Sequence, residues 1–202
     1  MSEKTREQAW GVLSEFTKNE SLLKHALAVE AAMRHYARRL GEGEELWGIV
    51  GLLHDFDYER YPDPADHPLK GEEILRERGW PDEITYAITT HADHAGRPRT
   101  SRLHRYLFAC DELCGFLTAC ALVQPDKSIH SVTVESVKKK LKTKGFARAV
   151  RREEILKGID ELGLDLDEHI GEVIAAMRGV AASLGLAGRA AGGGGSSEAA
   201  IP

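Results

Sequence analysis

The chain has 202 residues, 42% of them hydrophobic and 29% charged, which is enough for one domain with a buried core and ordinary for a globular protein. Its net charge of -5 gives no electrostatic reason to expect a nucleic-acid binder or a membrane-surface protein. Its longest apolar stretch, residues 46–53, is too short to cross a bilayer, so no membrane partner is expected.

The predicted elements are nearly all helical. Residues 4–16 read as a short amphipathic helix. Asn19 or Ser21 can cap the next, which runs to residue 40 with Leu22, Ala26, Val29, Met33 and Tyr36 at three- and four-residue spacing. Gly41 and Gly43 end it. A third helix, 44–55, is apolar on nearly every side and should be central. Residues 57–68 hold Pro62, Pro64 and Pro68 among several acids and read as a loop. Helices follow at 69–78, at 81–92 with Pro81 in the first helical position, and at 101–123. Three more are expected at 132–144, 147–162 and 166–184, and no alternating run is long enough for a strand. The tail 188–202, with four consecutive glycines, reads as a flexible end outside the functional domain.

The N-terminus lacks the apolar run and cleavage site of a secretory signal, so a cytoplasmic location is the default expectation. Cys110, Cys114 and Cys120 are odd in number. A CxxxC zinc or disulfide reading finds no second pair to complete it, and three buried core thiols are expected instead.

Chemistry concentrates in the histidines, of which there are nine. His25 lies on the stripe of Leu22 and Val29, and His54-Asp55 ends the apolar third helix in the run GLLHDFDY. An imidazole and a carboxylate placed beneath an apolar helix are costly to bury, roughly 2–7 kcal/mol for an unpaired polar group. A cation offsets that cost, because both groups are metal ligands. Singly, each histidine also reads as a core or solvated residue. The succession His25, His54-Asp55, His67, His91, Asp111 on successive helices or their ends is what points to one centre.

That H…HD…D pattern resembles the HD-domain superfamily of helical metal-dependent phosphohydrolases, over about residues 22–115. The added His67 and His91 resemble its two-metal branch, which includes the HD-GYP phosphodiesterases and mixed-valence diiron oxygenases. The resemblance implies an all-α, single-domain HD-type bundle over 1–187, with its metal-site core at 22–123 and C-terminal helices at 132–185. It implies that His25, His54, Asp55 and Asp111 hold a first divalent metal and that His67 and His91 hold a second, with Asp55 bridging. Gly71, in HPLKGEEIL, would permit close packing after His67. Fe, Mn, Zn, Ni or Co suits such ligands, and Mg is a further candidate. Asp55 would orient the attacking water, and His91 or His94, read as one face of a helix, would carry a proton to the leaving group.

Many members carry a lysine three residues after the HD aspartate, where this chain has Tyr58. Lys70 or Lys127 is offered as the missing positive charge, with Tyr58 and Lys70 as substrate-binding candidates. The basic stretch 137–152 reads either as a solvated helix pair or as a phosphate-attracting rim. The expected activity is hydrolysis of a phosphate ester: a small phosphorylated metabolite, a nucleotide or a cyclic dinucleotide. The alternatives are a mixed-valence diiron oxygenase and a non-catalytic signalling module. The expected partner is a small anionic substrate, and self-association into a homo-oligomer is left open.

Overall fold

The computed structural model describes residues 4–188, and the described residues form an α-helical bundle without a named strand. The helices are α1 (Arg6–Phe16), α2 (Glu20–Leu40), α3 (Glu44–Leu53), α4 (Leu69–Glu77), α5 (Asp82–Ile88), α6 (Arg102–Leu122), α7 (Val134–Leu141), α8 (Arg152–Leu162) and α9 (Leu166–Gly179). None of them is long and apolar enough to cross a membrane. All of the expected tail except Gly188 lies outside the described residues.

Two long helices, α2 and α6, frame the core, and each starts on a side-chain cap. Asn19 Oδ1 accepts from the backbone N–H groups of Ser21 and Leu22, while Ser101 and His104 form a capping box ahead of α6. Helix α3 buries every residue from Trp47 to Leu53, as its apolar sequence requires, and packs against α1 and α2. The three cysteines are free and buried.

Helix α9 is fixed to this frame by one buried histidine. His169 Nε2 donates to the Ala109 carbonyl (3.0 Å) and His169 Nδ1 accepts from the Tyr36 hydroxyl (2.6 Å). Burial keeps that imidazole below its ordinary pKa, so the neutral ring joins α2, α6 and α9. Helix α8 reaches α6 where Gly158 faces Ala109. A Cβ on Gly158 would fall 2.7 Å from the Ala109 Cα, so only glycine allows that approach.

Four boundaries differ from expectation, each for a local reason. The helix expected at 81–92 is α only to Ile88, with Pro81 as its extended N-cap (φ -63°, ψ 146°). The Thr89 and Thr90 hydroxyls donate to the carbonyls of Tyr86 and Ala87, and the chain tightens into a 3₁₀ turn, Thr89–His91. Ala92 is then extended, and His94 lies on a second 3₁₀ turn, Asp93–Ala95, so His91 and His94 do not share a helical face. The helix expected at 147–162 begins only at Arg152. The Arg152 guanidinium takes up the carbonyls of Leu141, Thr143, Phe146, Ala147 and Val150, which holds the preceding segment as a loop, and Ala147 adopts φ 43°. Helix α7 spans only Val134–Leu141 because Thr133 is its cap. Helix α9 stops at Gly179, with turns continuing toward Leu186.

Candidate metal centre

Helix α2 carries His25 in its second turn, and α6 carries Asp111 opposite it, with His25 Nε2 2.9 Å from Asp111 Oδ1. The end of α3 delivers His54 and Asp55 between them. His54 Nε2 lies 3.2 Å from His25 Nε2 and 3.4 Å from Asp111 Oδ1. The Asp55 carboxylate faces both ways. Its Oδ2 is 3.6 Å from His54 Nε2 and 4.0 Å from His25 Nε2, while its Oδ1 is 3.1 Å from His67 Nε2 and 3.0 Å from His91 Nε2. All six residues that the sequence singles out as ligands therefore meet: five form two groups that could each hold a metal ion and that share Asp55, and Asp111 adjoins the first group through His25 and His54.

The bonds behind the rings set their tautomers. His54 Nδ1 donates to the Gly51 carbonyl (2.8 Å), His91 Nδ1 to the Ile88 carbonyl, and His67 Nδ1 to Asp57 Oδ1 (2.9 Å). Each Nε2 then presents a lone pair to the centre. Those of His67 and His91 point at one another across 3.1 Å. Two lone pairs at that distance repel unless a proton or a metal ion lies between them. Ligand-to-ligand edges of 2.9 to 3.4 Å also suit an ion bonded at roughly 2.1 Å. Nitrogen and carboxylate donors without thiolate fit first-row divalent metals.

The electrostatics favour positive charge at the same point. Burial works to lower the pKa of His54, but the Asp55 and Asp111 carboxylates outweigh it and raise it to about 9. His67 also rises to about 9, because its bonds to Asp55 and Asp57 overcome burial. Burial works to raise the two central acids, yet His54 and the imidazoles bonded to them hold Asp55 and Asp111 well below the usual carboxylate range. The cluster attracts protons when no metal is there to take their place.

The centre opens into a pocket of about 340 Å³. Tyr58, 40% exposed, lines it with its ring 5.2 Å from that of His67. His94 also lines it, and its Nε2 donates to the His67 carbonyl (2.7 Å). Two lysines offered as substrate cations are elsewhere. Lys70 pairs with Glu73 one turn along α4, and Lys127 is exposed in the turn after α6; neither lines the pocket. Of the basic stretch 137–152, Lys138 pairs with Asp167 and Arg152 is taken up by loop carbonyls. Arg151 reaches the pocket.

Sequence reasoning missed three residues here. Asp57, fully buried, bonds His67 Nδ1 with one oxygen and the Gly71 N–H with the other (2.9 Å each). Its only signal is a second acid two residues after Asp55, beneath the same apolar run. Glu112 and Arg151 are the others: Arg151 Nε and its backbone N–H donate to the two Glu112 oxygens at 3.0 and 3.1 Å. Burial and the neighbouring Asp111 charge push Glu112 upward against the pull of Arg151.

An all-helical bundle that gathers four imidazoles and two carboxylates at one point defines a candidate metal-binding domain. Residues 22–115, a little under half of the chain, match the HD domain, a family of metal-dependent phosphohydrolases. Ribonuclease Y of Desulfotalea psychrophila (strain LSv54 / DSM 12343) is 34% identical over 100 residues, which are 48% of this chain and 18% of that protein. The chain thus spans less than a fifth of that relative's length. No solved structure matches the chain significantly.

Proposed function

We propose that the protein is a metal-dependent hydrolase of a phosphate ester, acting on a small phosphorylated metabolite, a nucleotide or a cyclic dinucleotide. The observation that carries this reading is the Asp55 carboxylate, whose two oxygens face separate ligand groups and so would hold two ions side by side. His25, His54 and Asp111 would complete one site, and His67 and His91 the other. Divalent metals bound there would polarise a phosphoryl oxygen and bring a bound water's pKa toward neutrality. The ribonuclease name of the similar protein keeps a nucleotide phosphodiester within the substrate class.

The protein's own groups divide the remaining work. Asp55, partly buried and held ionised, would bind the ions and orient a water for attack. Both nitrogens of His91 are engaged, one at Ile88 and one at the cluster, so the proton-transfer role considered for it passes to His94. His94 spends Nε2–H on the His67 carbonyl, which leaves Nδ1 to exchange a proton with a leaving group in the pocket. Tyr58 lines the pocket beside His67 as a hydrogen-bonding and stacking surface.

The test is metal analysis of freshly purified protein, followed by assay against p-nitrophenyl phosphate, bis-p-nitrophenyl phosphate, nucleotides and cyclic dinucleotides. A colourless Mn, Zn or Mg form that cleaves one of these, and loses cleavage in a His54→Ala, Asp55→Ala double variant, is the expected result. Two iron equivalents with a near-ultraviolet band and no esterase activity would instead favour the diiron oxygenase reading.

A further inference from the structure

Outside the six candidate ligands, the pocket carries one built cationic feature. Its described lining includes the carboxylates of Asp55, Asp111 and Glu112, four imidazoles, and a single Lys or Arg side chain, Arg151. Arg151 comes from the start of α8, beyond the segment that matches the HD domain. Its Nε bonds Glu112 Oε1 (3.0 Å) and its Nη1 lies 2.9 Å from Glu154 Oε1, while Nη2 has no partner among the described residues. The side chain is 48% exposed, and Arg151 lines the pocket beside Glu112.

The approach to the pocket is shaped so that this guanidinium stays there. Arg152, next in sequence, gathers the carbonyls of the loop between α7 and α8 and packs its guanidinium 5.3 Å from the Phe116 ring. Phe116 meets Phe146 edge-on at 5.4 Å. This arrangement sets Ala149 and Arg151 as one wall of the pocket, with Arg151 tied to the residue that follows Asp111.

We propose that Arg151 is the phosphate-recognition residue of this site, parked on Glu112 and Glu154 until an anionic phosphoryl group engages its free N–H groups. The inference rests on the phosphate-ester reading above for its substrate class. A planar guanidinium presents paired N–H donors to two phosphate oxygens, which an ammonium cannot do. It supplies from the C-terminal helices the positive charge that Tyr58 does not supply after the HD pair.

The test compares wild type, Arg151→Ala and Arg151→Lys, with the exposed Lys139→Ala as a charge-matched control. Metal content, thermal unfolding, inorganic-phosphate binding by calorimetry and kcat/KM on the best ester are measured for each. For Arg151→Ala, phosphate affinity and kcat/KM should both fall about 10- to 100-fold, as loss of hydrogen bonds to a charged group implies, with metal content unchanged and the protein still folded at the assay temperature. Arg151→Lys should recover only part of the loss, and Lys139→Ala should match wild type. Phosphate binding by Arg151→Ala equal to that of wild type overturns the inference while leaving the hydrolase reading intact, and so does a wild type that cleaves esters but binds no phosphate. Arg151-dependent phosphate binding without cleavage of any ester supports the inference and sinks the hydrolase reading instead.

Discussion

The two halves of the cluster are held in different ways. His25 and Asp111 sit within the long helices α2 and α6, among residues fixed by core packing, and His54 rides the buried end of α3. His67 stands in a turn ahead of α4, and His91 on a single 3₁₀ turn after α5. In the first half, geometry follows from packed helices. In the second it depends on a few hydrogen bonds: Asp57 to His67 and Gly71, the Ile88 carbonyl to His91, and His94 to the His67 carbonyl. Packed helices move little when one bond is lost, whereas turns move more. The first half should hold its ion more tightly than the second.

Removing the residue common to both halves would have the largest effect. On the proposed two-metal reading, Asp55→Ala should empty both sites and reduce ester hydrolysis by at least about 10³-fold, since each ion would lose an anionic ligand and the pair its shared one. Metal content by mass spectrometry and kcat on the best ester measure this. Retention of one full equivalent would show that the halves are independent and that Asp55 does not bridge.

The next effect should divide them. Asp57→Ala removes the acceptor behind His67 and leaves the Gly71 N–H without its side-chain partner. The second ion should bind about 10- to 100-fold more weakly while the first is retained, because partners behind a ligand typically contribute on that scale. Competitive metal titration reads both sites, and equal weakening of the two would erase the distinction between them.

The same contrast explains what the sequence could reveal. Helices α2 and α3 were legible because apolar spacing and caps agree, and the order of His25, His54-Asp55, His67, His91 and Asp111 was legible because each residue type is itself a ligand. Asp57 was hidden because its partners lie 10 and 14 residues away across a turn with no period. Arg151 was submerged in a basic stretch whose other members bond acids or loop carbonyls, contacts visible only in three dimensions. His94 was misplaced because side-chain hydroxyls at Thr89 and Thr90 altered the helical period just before it.

Protonation is where the halves should behave alike. His54 and His67, one from each half, both have folded pKa values raised to about 9. A raised histidine pKa adds stability that is fully present below its unfolded value of about 6.5 and is lost as pH rises through the folded value. Chelator-treated protein should therefore lose stability between about pH 6.5 and 9, on the order of 3 kcal/mol per imidazole. Metal affinity should rise over the same window as ions displace those protons. Urea unfolding in chelator at several pH values measures the slope, which His54→Ala and His67→Ala should each reduce. If only one variant reduces it, the two halves differ in charge as well as in support.

The smallest expected effect is the most selective. Gly71 lies in α4, and a Cβ there would fall 2.9 Å from Asp57 Cγ and 3.0 Å from Phe56 Cε1. Alanine favours a helix interior over glycine by about 1 kcal/mol, which opposes the cost of moving Asp57 aside. Gly71→Ala should thus leave the melting temperature nearly unchanged while the displaced Asp57 turns His67 away from its productive angle. Affinity at the second half should drop a few-fold and at the first half not at all, read by the same competitive titration. A variant that loses stability yet binds both ions normally would mean that Asp57 supports the fold but does not aim His67.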